Sequence, residues 1–88
     1  MIYITPKNEN LYDVTVEDMD TTHHEVTLSD DYYQKLTGGK ISKEELLEQS
    51  FQFLLNRESN TMILRKFDLP VISRYFPEYE SEIRRDLR

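Results

Sequence analysis

From His24 to Arg57 the chain reads HEVTLSDDYYQKLTGGKISKEELLEQSFQFLLNR: a strand, a short helix, a glycine stop and a longer amphipathic helix in unbroken succession. His24, Val26 and Leu28 alternate with Glu25 and Thr27, the period of two that buries one face of a strand and wets the other. Ser29 then offers a side-chain acceptor, and Asp30 and Asp31 offer two carboxylates, where a helix N-terminus has unpaired N–H groups and the positive end of its dipole. Gly38-Gly39 ends that helix, because the residue beyond a last turn commonly takes the left-handed conformation, so the first helix is predicted over 30–37. Ser42-Lys43-Glu44-Glu45 matches a reciprocal capping box. Leu47, Ser50, Phe51, Leu54 and Leu55 follow three and four apart, with Leu46 and Phe53 widening the stripe, which predicts the main core helix over about 43–57.

Upstream, Ile2 and Ile4 alternate with polar neighbours until Pro6, and Tyr12, Val14 and Val16 alternate with Asp13, Thr15 and Glu17. With the run from His24 these predict a three-stranded antiparallel meander. Downstream, Met62, Ile63, Leu64 and Phe67 suit one or two helical turns, and Asp68-Leu69-Pro70 reads as a cap with proline in the first turn of another. After Pro77, the acids Glu78, Glu80 and Glu82 precede Arg84, Arg85 and Arg88, the order a helix dipole favours, with Tyr79, Ile83 and Leu87 facing inward. The predicted fold is α+β over a single domain, 1–88, with 1–28 mostly β and 29–88 mostly α. An N-terminal three-stranded antiparallel β-meander packs against a C-terminal set of three to five short helices.

A chain of 88 residues builds one core and buries a little over roughly 60% of its unfolded surface. Its 38% apolar content and ten aromatics, six Tyr and four Phe, place it among folding sequences rather than disordered ones. It has no Cys, hence no disulfide staple and no thiolate site, which favours a reducing, cytoplasmic compartment. The first twelve residues hold no apolar run of signal length, so neither export nor a membrane span is expected. The net charge of −6 is uneven, with residues 1–40 carrying three basic against eight acidic side chains. Phosphate would be repelled by that half, so the expected partner is a protein or a second copy of the chain rather than nucleic acid or membrane.

Chemical motifs are scarce. His23 and His24 are adjacent in a strand, so their rings point to opposite faces and cannot easily share an ion. Glu17, Asp18 and Asp20 lack the glycine and spaced oxygens of a calcium loop and read as a solvated turn. Ser29, Ser42 and Ser59 stand at helix starts, where capping is the common use of serine. The run Tyr32-Tyr33-Gln34-Lys35-Leu36 reads as core and rim packing. No catalytic, cofactor-binding or metal-binding residue is assigned, and no small-molecule ligand is inferred. The candidate interaction surface is Arg74, Tyr75, Phe76 and Tyr79, three aromatics and an arginine around a helix start, residue types enriched at interface hot spots. Spacing alone leaves open whether this cluster closes the core or forms a contact.

Two resemblances accompany these readings. The order from Val26-Thr27-Leu28-Ser29 to Ile41-Ser42-Lys43-Glu44-Glu45-Leu46 resembles the ribbon-helix-helix family of DNA-binding repressors and antitoxins. That resemblance implies strand pairing between two chains, with Glu25 and Thr27 as base readers and Ser42 with Lys43 as the phosphate anchor. The reading strand, however, carries no Arg or Lys, and two further strands precede it. More of the chain, from His24 through FQFLLNRES to FDLPVISRYFPEYESEI, resembles a family of short, uncharacterised bacterial proteins, which implies a stand-alone domain. The expectation is a non-enzymatic protein-interaction or regulatory module. The alternatives are a dimeric ribbon-helix-helix-like DNA-binding regulator or antitoxin and a small enzyme with an unmarked site.

Overall fold

Alternation in the first 28 residues produces three strands, β1 (Ile2–Pro6), β2 (Leu11–Glu17) and β3 (Thr21–Thr27), in a computed structural model that describes residues 1–87. Arg88, expected near the end of the last helix, lies outside the described residues. The strands form an antiparallel meander in which Ile4 opposes Val14, and Val14 opposes His24. Tyr12, Val14, Val16 and Val26 are buried on the inner face, whereas Thr15, Glu25 and Thr27 lie on the other.

Two helices cover the inner face. In α1 (Asp30–Thr37), Ser29 Oγ accepts the Tyr32 N–H at 3.1 Å, and Gly38 takes φ of 62° at the C-terminal end. A side chain at Gly38 would strain that left-handed backbone. The capping box of α2 (Lys43–Leu55) is complete: Ser42 Oγ accepts the Glu45 N–H at 3.1 Å, and Glu45 Oε1 accepts the Ser42 N–H at 3.4 Å. Leu46, Leu47 and Phe51 are fully buried, each contributing on the order of 1.5–3 kcal/mol by leaving water. α2 stops two residues short of the expected end, since the Arg57 and Glu58 N–H groups both turn back to the Leu54 carbonyl at 2.9 Å.

The remaining segment departs from the sequence expectation. Asn60–Met62 makes a single 3₁₀ turn, and Lys66–Asp68 forms a fourth strand, β4, where helical turns were expected. The sheet is therefore four-stranded and mixed, in the order β1-β2-β3-β4, with β4 parallel to β3. Two helices carry the chain back across the inner face to the free edge of β3, as a parallel pairing requires. Phe67 enters the core, and Lys66 and Asp68 remain exposed. A second 3₁₀ turn (Leu69–Val71), with Pro70 in its opening, leads into α3 (Ile72–Tyr75), and α4 (Tyr79–Asp86) follows Pro77.

α4 is held by both earlier helices. Fully buried Tyr79 places its hydroxyl 2.6 Å from Ser50 Oγ, whose own proton is directed to the Leu46 carbonyl at 2.7 Å, leaving Tyr79 to donate. Tyr32 donates to Glu80 at 2.8 Å. Arg57 lies 3.6 Å above the Phe53 ring and pairs with Glu78 and Glu82 at 3.1 and 2.6 Å. No helix among the described residues is long and apolar enough to cross a membrane.

Candidate interaction surface

The corner between α3 and α4 divides the four residues nominated from the sequence. Tyr79 belongs to the core, with its ring edge-on to Phe53 at 5.2 Å, and burial pushes its phenol pKa upward. Phe76 is half-buried and packs edge-on with the same Phe53 ring at 5.9 Å. Tyr75 is 66% exposed, and Arg74 is exposed beside it. The turn before Pro77 thus sends one aromatic inward and leaves another in water.

Tyr75 and Phe76 line an apolar groove of about 250 Å³, another part of whose wall comes from Met62 and Leu64. The chain between the first 3₁₀ turn and β4 explains that wall, because Ile63 is buried while Met62 and Leu64 on either side are 71% and 45% exposed. Phe67 and Ile72 form part of the floor. The spacing Met62-Ile63-Leu64 did not separate these roles, since a helical turn would have placed the three differently.

Charge is distributed unequally around the groove. Residues 58–76 hold three basic and two acidic side chains, a net +1 within a chain of −6, the neighbouring Arg57 being paired with Glu78 and Glu82. Arg65 and Arg74 form no ion pair among the described residues, and Lys66 reaches Glu25 only at 4.0 Å. Of the two acids, Asp68 accepts a hydrogen bond from Thr27 at 2.7 Å, on the outer face of the sheet. Glu58 lines the groove, and partial burial pushes its carboxyl pKa up.

The back of this segment is tied to the sheet by a polar cluster. His24, 2% exposed, lies against Phe51, with Nδ1 2.7 Å from the Leu64 carbonyl and Nε2 2.8 Å from Thr22 Oγ1. A carbonyl can only accept, so Nδ1 carries the proton and Nε2 accepts from Thr22. Thr22 Oγ1 in turn accepts from Asn60 Nδ2 at 3.1 Å, and the same amide donates to the Asp20 carbonyl at 2.9 Å. Burial holds the His24 pKa below the ordinary histidine range; Arg65 and His23 act in the same direction, and the Leu64 bond opposes them. This histidine lies in β3, the strand between β2 and β4, whereas His23 is exposed and 3.1 Å from Thr15.

The other motifs remain dispersed. Glu17, Asp18 and Asp20 are exposed, and no group of three or more His, Cys, Asp or Glu side chains could hold a metal ion among the described residues. Ser29 and Ser42 are occupied as caps, and Ser59 Oγ lies 2.8 Å from Thr61 Oγ1. A second depression, between α2 and α4, is walled by Gln52, Asn56 and the Arg57–Glu82 pair. Its cation is already neutralised. The residues that resemble a DNA-reading ribbon lie in β3, which pairs with β2 on one side and β4 on the other.

Comparison with known protein families, with curated proteins and with solved structures finds no match for this chain.

Proposed function

We propose that the chain is a cytoplasmic, non-enzymatic protein-interaction module, and that its groove receives an apolar segment of a partner protein that also carries acidic side chains. The observation that carries this reading is the convergence of Met62, Leu64 and Tyr75, all exposed, around one apolar groove. Single exposed apolar residues are ordinary on small proteins, but a cluster around a concavity marks a contact site. The acidic character of the occupant follows from Arg65, Lys66 and Arg74, the cations of a locally positive segment. Such complementarity steers encounter and fixes register. The ribbon-helix-helix alternative draws no support from the sheet, because β3 is paired on both sides within its own chain.

A photo-crosslinking residue at position 75, compared with one at His23 on the outer face, tests the proposal in the native cell. The expected result is one protein captured from position 75 and not from 23, whose purified form binds the wild-type chain and loses binding to Met62→Ser. Equal capture from both positions, or equal binding of the Met62→Ser chain, would overturn it. So would a hydrolytic or transfer activity that one polar substitution abolishes without unfolding the protein.

A further inference from the structure

The groove's floor includes Phe67, the middle residue of a strand with an open edge. β4 is the last strand of the sheet, and the Glu25 N–H donates to the Arg65 carbonyl at 2.8 Å. In a parallel pair with Lys66 opposite Glu25 and Phe67 opposite Val26, this bond directs the N–H and C=O of Phe67 toward β3. The N–H and C=O of Lys66 and Asp68 therefore point away from the sheet, since successive backbone groups alternate in direction. An unpaired row of this kind is a template for another strand. Proteins commonly cover or bend such edges; here the edge adjoins exposed Leu64 and the groove lined by Leu64, Phe67 and Tyr75.

The other exposed edge lacks these companions. Along β1 the bonds from Glu17 to Met1 and from Lys7 to Leu11 face β2, so the backbone groups of Ile2 and Ile4 face outward. Pro6 ends that strand, and the groove lies at the opposite end of the sheet.

We propose that the partner segment binds in extended form as a fifth strand on β4. Its backbone pairs with the outward groups of Lys66 and Asp68. Alternate side chains, two residues apart, then fall on the inner side of the sheet, where large apolar ones enter the groove between Leu64 and Tyr75. The intervening side chains fall on the outer side, where Lys66 shares the face with Glu25 and Asp68, so the preference for acidic ones rests on Arg65, next to β4, and Arg74, next to Tyr75. This mode of recognition derives affinity from main-chain bonds and specificity from pockets for every second side chain. It rests on the docking reading above and adds a conformation and a periodicity to it.

The test uses four kinds of labelled nine-residue probe with the purified chain: alternating Glu and Leu; the same sequence N-methylated at alternate backbone positions, in each of the two frames; alternating Lys and Leu; and a Glu/Leu sequence of helical period. Fluorescence anisotropy gives affinity, and amide NMR locates the contact. The proposal expects saturable binding of the first probe, shifts at the Lys66 and Asp68 amides, and a roughly tenfold or greater loss for whichever methylation frame removes the donors facing β4. It also expects weaker binding of the Lys probe and recovery of that binding in an Arg65→Glu, Arg74→Glu chain. Equal affinity of the unmethylated probe and both methylated frames, or tighter binding of the helical probe, would overturn strand addition. If that binding is still lost in Tyr75→Ser, the groove remains the docking site and only the extended mode fails. Absence of binding by all the probes would overturn both.

Discussion

Two parts of the segment between Glu58 and Phe76 obey opposite rules. At its start, Asn60 is buried and its amide is divided among acceptors at 2.9, 3.1 and 3.4 Å, the carbonyl of Asp20, Thr22 Oγ1 and the carbonyl of Val16. A few residues later, Met62, Leu64 and Tyr75 leave apolar surface uncovered around a groove. Polar atoms are satisfied where the segment meets the sheet, and apolar atoms are unsatisfied where it meets water. Folding stability accounts for the first arrangement. It does not account for the second, because polar residues at 62, 64 and 75 would leave the core unchanged.

The largest effect that sharpens this contrast lies behind the groove. Tyr79→Ala removes a fully buried ring that touches Phe53 and donates to Ser50, and it should lower unfolding free energy by about 3–5 kcal/mol. Urea denaturation measures it directly. A loss below about 1 kcal/mol would mean that α4 is peripheral to the core.

Next in size is Asn60→Ala. The substitution removes the amide that donates to the Asp20 carbonyl and to Thr22, while the Asp20 carbonyl keeps the Asp18 N–H at 3.1 Å and the His24–Thr22 bond can persist. Two lost hydrogen bonds at about 0.5–1.5 kcal/mol each should appear in denaturation as a loss of ~2 kcal/mol. The same variant should also weaken binding at the groove, because the 3₁₀ turn that positions Met62 begins at this residue. Unchanged binding in a destabilised Asn60→Ala chain would separate the two regions.

The contrast between them was legible in the sequence to different degrees. Strands β1 to β3 follow from strict alternation, and α1 and α2 follow from Ser29, Gly38-Gly39 and the Ser42–Glu45 box, local signals that act within a turn of the residue carrying them. β4 has no such signal. Lys66-Phe67-Asp68 contains a single inward residue, and its pairing with Glu25 to Thr27 is made across about forty positions of chain. The groove was half visible: Tyr75 stood out in an aromatic cluster, but only the tertiary position of Ile63 shows that Met62 and Leu64 face outward. Tyr79 illustrates the converse, since an aromatic four residues from Ile83 fits a core stripe as well as a contact surface.

A smaller effect concerns the histidine between the two regions. Its folded pKa lies below the unfolded value near 6.5, chiefly through burial, so the unfolded chain binds its proton more readily. The stability contributed by neutral His24 is complete above about pH 6.5 and falls as pH drops below that value, levelling once pH passes the lower folded pKa. Urea midpoints from pH 8 to 5 should therefore decline more steeply for the wild type than for His24→Leu, whatever the absolute stability of the variant. Parallel curves would show that the imidazole stays neutral in both states or charges freely in both.

The smallest expected effect on stability is the one that bears most on function. Tyr75→Ser and Met62→Ser alter side chains that are 66% and 71% exposed, and substitutions of that kind usually change unfolding free energy by no more than about 0.5 kcal/mol. Their effect on partner binding should be large by comparison, because exposed aromatics at the centre of a contact carry a disproportionate share of its energy. Denaturation and binding measured on the same preparations distinguish the cases. If either variant is destabilised by more than about 1 kcal/mol, its side chain packs more closely than its exposure indicates, and the groove is part of the fold. A change in binding without a change in stability assigns these residues to a surface whose apolar character serves something other than folding.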